Sequence, residues 1–199
     1  MKAKRVLDIT VSLSLLALLW PVMLLAALAI KLDSSGPILF KQARLGLRGR
    51  AFDMMKFRTM VVGAEQIGTG LYNFEDDPRV TRVGRILRIT SIDELPQLFN
   101  VLSGTMSLVG PRPPVTYELG DLGELEWRKK RRFVVRPGVT GLAQINGRNE
   151  LSWDQKIAHD LEYIEKLRKY GILLDIYILL RTIIRVLRMD GSHDPPTDA

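Results

Sequence analysis

Asp93 and Glu94 stand side by side in the stretch Ser91-Ile92-Asp93-Glu94-Leu95-Pro96-Gln97-Leu98-Phe99-Asn100-Val101-Leu102. An ionised carboxylate can attack phosphorus or hold a hard metal ion, and an adjacent pair can divide those tasks. Arg88 lies five residues before Asp93, and Gly110-Pro111-Arg112-Pro113 follows the stretch. The purely structural explanation is a capping box, with Ser91 as the cap and Glu94 reaching back to it. Pro96 fits that register poorly, because at the fifth helical position it removes a backbone hydrogen bond. With Asp93 as the cap, Pro96 lies in the first turn, where no donor is needed. In either register both carboxylates stand at a helix N-terminus, where the macrodipole favours their ionised form.

Cations that could serve this pair recur along the chain. Lys56 and Arg58 end an apolar stretch and read by default as solvated strand ends. Arg79, Arg82, Arg85 and Arg88 are spaced by three, a drifting basic stripe if the segment is helical. That stripe is either a solvated face or a set of phosphate contacts, with Arg88 the candidate for substrate. Arg112 sits between prolines that force an extended backbone, and a rigid segment suits phosphate clamping. The run Trp127-Arg128-Lys129-Lys130-Arg131-Arg132-Phe133 reads as a membrane-surface or solvated helix. No nucleic-acid module surrounds it, so nucleic acid is not the expected partner. The glycine-punctuated segment from Arg136 to Asn149, with Gln144, Asn146 and Arg148, can approach a nucleotide or sugar closely. Ser152 or Asp154 is placed to cap a helix through His159, Asp160 and Tyr163, with His159 an ordinary surface residue.

Composition narrows the chemistry. The chain has 199 residues and no cysteine, and its only histidines are His159 and His193. Disulfides and thiolate metal sites are excluded, and a histidine-rich zinc site is disfavoured. A metal here would be a hard ion held by carboxylates and phosphates, which points to Mg²⁺. The net charge of +7 calls for an anionic partner.

The elements that must position these residues follow from patterning. Val11 to Ile30 carries no charge, with basic residues before it and Lys31 after it. The stretch is long enough to span a bilayer as one helix, but Pro21 stands at its centre. Basic flanks at both ends favour a re-entrant helix–Pro–helix hairpin, with both ends on one side. Arg5 and Asp8 can pair on one face of its first arm. Ile38 to Ala43 and Ala51 to Phe57 read as a β-hairpin, and Ser107 to Val109 as a short strand. Leu173 to Arg188 reads as an amphipathic helix lying on a surface. The expected fold is mainly α with a small β-hairpin. Residues 1–33 form the membrane hairpin, 34–190 the catalytic domain and 191–199 a disordered tail.

Taken together, the chain resembles the bacterial sugar transferase family, the monotopic polyprenyl-phosphate phosphoglycosyl transferases. The resemblance is carried by Lys56-Phe57-Arg58-Thr59-Met60, the Ser91 to Val101 stretch, Met106-Ser107-Leu108-Val109-Gly110-Pro111-Arg112-Pro113, and Arg136-Pro137-Gly138 through Gly147-Arg148-Asn149. It covers about Val6 to Arg188 and looks like the family's minimal catalytic unit. Trp20 departs from the small serine that often precedes the proline. The resemblance implies transfer of a sugar 1-phosphate from a UDP-sugar to undecaprenyl phosphate, with release of UMP, on the cytosolic face of the bacterial inner membrane. It implies Asp93 as nucleophile, Glu94 with Asp93 as Mg²⁺ ligands, and Lys56, Arg88, Arg112 and Arg148 as phosphate binders. Gln144, Asn146 and Asp160 become substrate-contacting candidates. The partners implied are the two substrates and membrane lipids, with a homodimer compatible. Two other classes remain open: a membrane-anchored basic protein without catalysis, and a glycosyltransferase that releases UDP.

Overall fold

The computed structural model describes residues 2–68, 70, 74, 76–120, 122–147 and 151–188. The tail expected over 191–199 lies outside the described residues, as does Arg148. Helix α1 (Lys2–Asp33) is followed by the antiparallel hairpin of β1 (Leu39–Leu45) and β2 (Ala51–Phe57). Then come α2 (Arg82–Ile89), α3 (Gln97–Ser103), β3 (Ser107–Val109), α4 (Trp127–Arg131), β4 (Gly138–Thr140), α5 (Leu142–Asn146), α6 (Trp153–Tyr170) and α7 (Ile172–Arg188). The mostly helical fold with a small hairpin agrees with the patterning. A second sheet was not foreseen: β3 pairs parallel with β4, inside the segment expected to be a loop. The glycines explain how these strands meet, since a Cβ on Gly138 would collide with the backbone of Gly110 and Thr140.

The main core joins Met54 of β2, Leu98 and Val101 of α3, β3, and the inner faces of α5, α6 and α7. Ser152 caps α6 in a reciprocal capping box with Gln155. Gly104 stops α3 in the left-handed conformation. Helix α7 buries Leu174, Asp175 and Ile178 but exposes Leu173, Leu180, Ile183 and Leu187.

Helix α1 continues through Pro21 instead of breaking there. Proline removes only the hydrogen bond to the Ala17 carbonyl, a local loss that a helix can absorb by bending. Both ends of α1 touch the body. At one end Arg5 donates to the Val101 and Leu102 carbonyls at 2.6 and 2.9 Å. Asp8 accepts from Ser107 Oγ at 2.8 Å and Leu108 N at 3.0 Å. The expected Arg5–Asp8 pair is therefore replaced by two ties to the body, which satisfy polar groups there that would otherwise lack hydrogen-bond partners. Lys4 joins them, donating to Asp175 at 2.7 Å and to the Val109 carbonyl at 2.9 Å. At the other end Ala26 and Ile30 pack with Phe57 and Leu87. Between the ends, Leu18 and Trp20 are exposed. Among the described residues, α1 alone is long and apolar enough to cross a membrane.

Candidate active site

Asp93 and Glu94 lie on a one-turn 3₁₀ segment, Ile92–Glu94. Neither expected cap register occurs. Ser91 takes a left-handed conformation, φ 56°, and its side chain makes no cap hydrogen bond, while α3 starts only after Pro96. The reason is Pro96 itself: it cannot donate inside a longer helix, so the chain turns tightly first and the helix begins behind it. The left-handed Ser91 gives a sharp reversal after α2. The tight turn, rather than a long helix dipole, sets the aim of the two carboxylates.

Both carboxylates line a cavity of about 760 Å³, together with Lys56, Arg88, Arg112, Gln144 and Asp160. These residues come from β2, α2, the proline segment, α5 and α6. Lys56 Nζ and Arg112 Nη2 both reach Glu94 Oε1 at 3.0 Å. The Glu94 charge holds the Arg112 guanidinium above its ordinary pKa. Burial pushes the Lys56 ammonium down, and Glu94 partly restores it. Arg88 Nε donates to Thr59 Oγ1 at 2.9 Å, which fixes it beside the floor. The close approach depends on Gly84 of α2, whose missing side chain leaves room for the Thr59 backbone.

The opposite wall is built by α5 and α6 around Asp160 and Arg132. Both side chains are only 3% exposed, with Arg132 Nη2 and Asp160 Oδ2 2.8 Å apart. Burial raises the Asp160 carboxyl to about 6, against the lowering pull of Arg132. Arg132 also donates to the Arg112 carbonyl at 2.8 Å and lies over the Trp153 ring at 5.3 Å. Arg132 thus ties the wall to the segment that presents Arg112. Its place corrects the reading of the basic run as wholly solvated: α4 ends at Arg131, and a 3₁₀ turn swings Arg132 and Phe133 inward. Gln144 is buried on this wall, whereas Asn146 is exposed at the end of α5 and does not line the cavity.

Three more cations differ from the expectation. Arg58 is buried and donates to the Ser34 carbonyl at 2.7 Å and to the Ser35 carbonyl, tying the hairpin to the end of α1. Arg79 is not part of a basic stripe. It is buried, bound to Asp77 at 2.7 Å and to the carbonyls of Ala64, Ile67 and Gly70 at 3.0, 2.8 and 2.8 Å. Arg44, not singled out by the sequence, lines the cavity and donates to the Pro113 carbonyl at 3.0 Å. Burial and the Arg112 charge lower it to about 10. His159 behaves as an ordinary surface residue beside Glu162 at 3.2 Å.

A buried Asp93 beside a half-buried Glu94, with cations converging on them, is an arrangement suited to handling phosphate. Residues 1–189 match the bacterial sugar transferase family. The chain belongs to that family. It is 49% identical over 193 residues to an undecaprenyl-phosphate glucose phosphotransferase of Komagataeibacter xylinus, covering 93% of this chain and 36% of that protein. It is 46% identical over 196 residues to a UDP-glucose:undecaprenyl-phosphate glucose-1-phosphate transferase of Caulobacter vibrioides, covering 96% and 72%. It is 42% identical over 188 residues to the uncharacterized sugar transferase EpsL of Bacillus subtilis, covering 94% and 89%. The chain thus spans about a third of the first relative and most of the other two.

Proposed function

We propose that the chain moves a sugar 1-phosphate from a UDP-sugar to undecaprenyl phosphate and releases UMP. The observation that carries this reading is a buried Asp93 beside a Glu94 already bound by Lys56 and Arg112, in one cavity with Arg88. The diphosphate brings negative charge to Arg88, Arg112 and Lys56, which orient it. An Asp93 carboxylate oxygen attacks the sugar-side phosphorus. The bond to the bridging oxygen breaks, and UMP leaves with that oxygen and its electron pair. An oxygen of undecaprenyl phosphate then attacks the same phosphorus, and the Asp93 carboxylate departs. The product is undecaprenyl diphosphate sugar.

No cluster of three metal-ligating side chains occurs among the described residues. Two adjacent carboxylates nonetheless fit Mg²⁺, which takes one or two carboxylates and completes its shell with phosphate oxygens and water. Asp93 and Glu94 would hold it, and when bound it neutralises charge on the diphosphate. Asp160, Gln144 and Trp153 line the wall suited to the polar donor, and Arg148 is assigned to phosphate by resemblance alone.

With UDP-glucose and no lipid, rapid-quench mass spectrometry should find a phosphosugar on the Asp93 peptide, with UMP released in equal amount. UDP as the released nucleotide, or no adduct together with ternary kinetics, would overturn the covalent reading. We assign residues 1–33 to a re-entrant membrane element and 34–190 to a catalytic domain on the cytosolic face of the inner membrane. Support comes from the two ends of α1, which both rest on one body while Leu18 and Trp20 between them are exposed. A cysteine introduced at Ala3 should resist an impermeant maleimide in intact cells and react after permeabilisation. Labelling in intact cells, with the body still inside, would show a true span.

A further inference from the structure

The cavity has two chemically opposite ends. Its floor is ionic, around Asp93, Glu94, Lys56 and Arg112, but its rim on the α1 side is formed by Pro37, Leu39, Met60, Val61 and Val62. Leu39, Val61 and Val62 are 37%, 42% and 63% exposed, a contiguous apolar edge beside a charged site. The edge is fixed in place. Met60 bridges to Val80, and Val61 N donates to the Arg79 carbonyl at 2.9 Å. It is also fastened to the end of α1. Lys31 donates to the Gly36 carbonyl at 2.9 Å, and a Cβ on Gly36 would come within 2.6 Å of the Val62 side chain. The apolar surface continues onto α1 itself, where Leu28 and Leu32 are 53% and 89% exposed.

We propose that the lip of Pro37, Leu39, Met60, Val61 and Val62 seats the first isoprene units of the acceptor lipid while its phosphate reaches the Asp93 floor. This rests on the reading of the site as a transferase onto a polyprenyl phosphate. A nucleotide sugar is polar along its length and gains little from an exposed valine edge. A prenyl phosphate joins one anionic group to a hydrocarbon chain, which matches an ionic floor opening onto an apolar lip. The chain must then run from the cavity into the bilayer, and the lip is the part of the rim tied to the apolar helix α1. The lip therefore selects for the acceptor and serves only the second half of the reaction.

The test uses the full chain in lipid nanodiscs and the variants Val62→Asp and Val62→Ser. The UMP burst from UDP-glucose without acceptor should stay within about twofold of wild type. KM for undecaprenyl phosphate should rise about tenfold in Val62→Asp and less in Val62→Ser, from lost apolar contact. Unchanged KM in both variants, or a burst that falls as much as the acceptor step, would overturn the lip. A benzophenone placed on the second isoprene of a farnesyl phosphate supplies a readout independent of turnover. It should crosslink to the peptides containing Leu39 or Val61–Val62 and be displaced by undecaprenyl phosphate. Crosslinks confined to α1 or α7 would mean that only bulk membrane covers this edge, and would overturn the proposal. Lip crosslinking in a wild-type protein that never releases UMP would instead sink the transferase reading and leave the prenyl site standing.

Discussion

The floor and the α5–α6 wall of the cavity hold the same residue types in different surroundings. On the floor, Glu94 Oε1 accepts from two cations at 3.0 Å. On the wall, Asp160 is buried with Arg132 at 2.8 Å, yet Oδ2 has no well-aligned hydrogen bond and the carboxyl rises to about 6. Two cations converge on the floor carboxylate, whereas the wall carboxylate has one poorly aligned donor to set against its desolvation. The floor is therefore held by direct ion pairs at the place where a diphosphate would bind. The wall is a support whose charge state depends on pH, and it reaches the floor only through the Arg132 bond to the Arg112 carbonyl.

The sharpest test of the floor is Asp93→Asn, which keeps the shape and removes the anionic nucleophile. Turnover should fall by at least about a thousandfold with a normal thermal melt. Activity within a few-fold of wild type, in protein free of wild-type contamination, would end the covalent assignment. Arg112→Lys should cost about a hundredfold, since a point charge cannot reproduce the guanidinium fork at Glu94 and phosphate. Steady-state rates with saturating donor would check it, and near-wild-type activity would place the phosphate site elsewhere.

What could be read from the sequence, and what could not, divides along the same line. The Asp93-Glu94 pair, the prolines around Arg112 and the β-hairpin are signalled locally, by spacing, by fixed φ and by alternation. Arg132 was hidden because its neighbours Arg128 to Arg131 make it look like one more solvated charge. The available signal was Phe133, an apolar residue ending a basic run, which implies that the chain turns inward there. Pairing with Asp160 links residues far apart in sequence, and no local pattern reports such a contact. The same holds for Arg79, whose partners include carbonyls of the Ala64–Gly70 segment. At Pro21 the proline removes one bond of the helical ladder, and α1 is helical on both sides of it.

The wall offers the smaller and more discriminating effect. Arg132→Gln should slow the UMP burst about tenfold, acting through Arg112 rather than on substrate. A fold defect would give the same loss, so the pH profile of the burst carries the test. The donor half-reaction is the one to measure, because undecaprenyl phosphate has its own titration near pH 6 and the diester diphosphate of the donor does not. Folding favours protonated Asp160, so its contribution to stability is present below its ordinary value of 3.8 and is lost as pH rises through about 6. Activity should run the other way. Above about 6 Asp160 is charged and holds Arg132. Below it the pair dissolves and the Arg112 segment loosens, so the burst should fall with a midpoint near 6. Asp160→Asn should abolish that limb and stay at the low-pH rate throughout. Arg132→Gln should also abolish the limb, since the bond through which Asp160 acts on the Arg112 segment is gone. A limb with the same midpoint in all three proteins would show that some other group titrates, and would separate the wall from the chemistry of the floor.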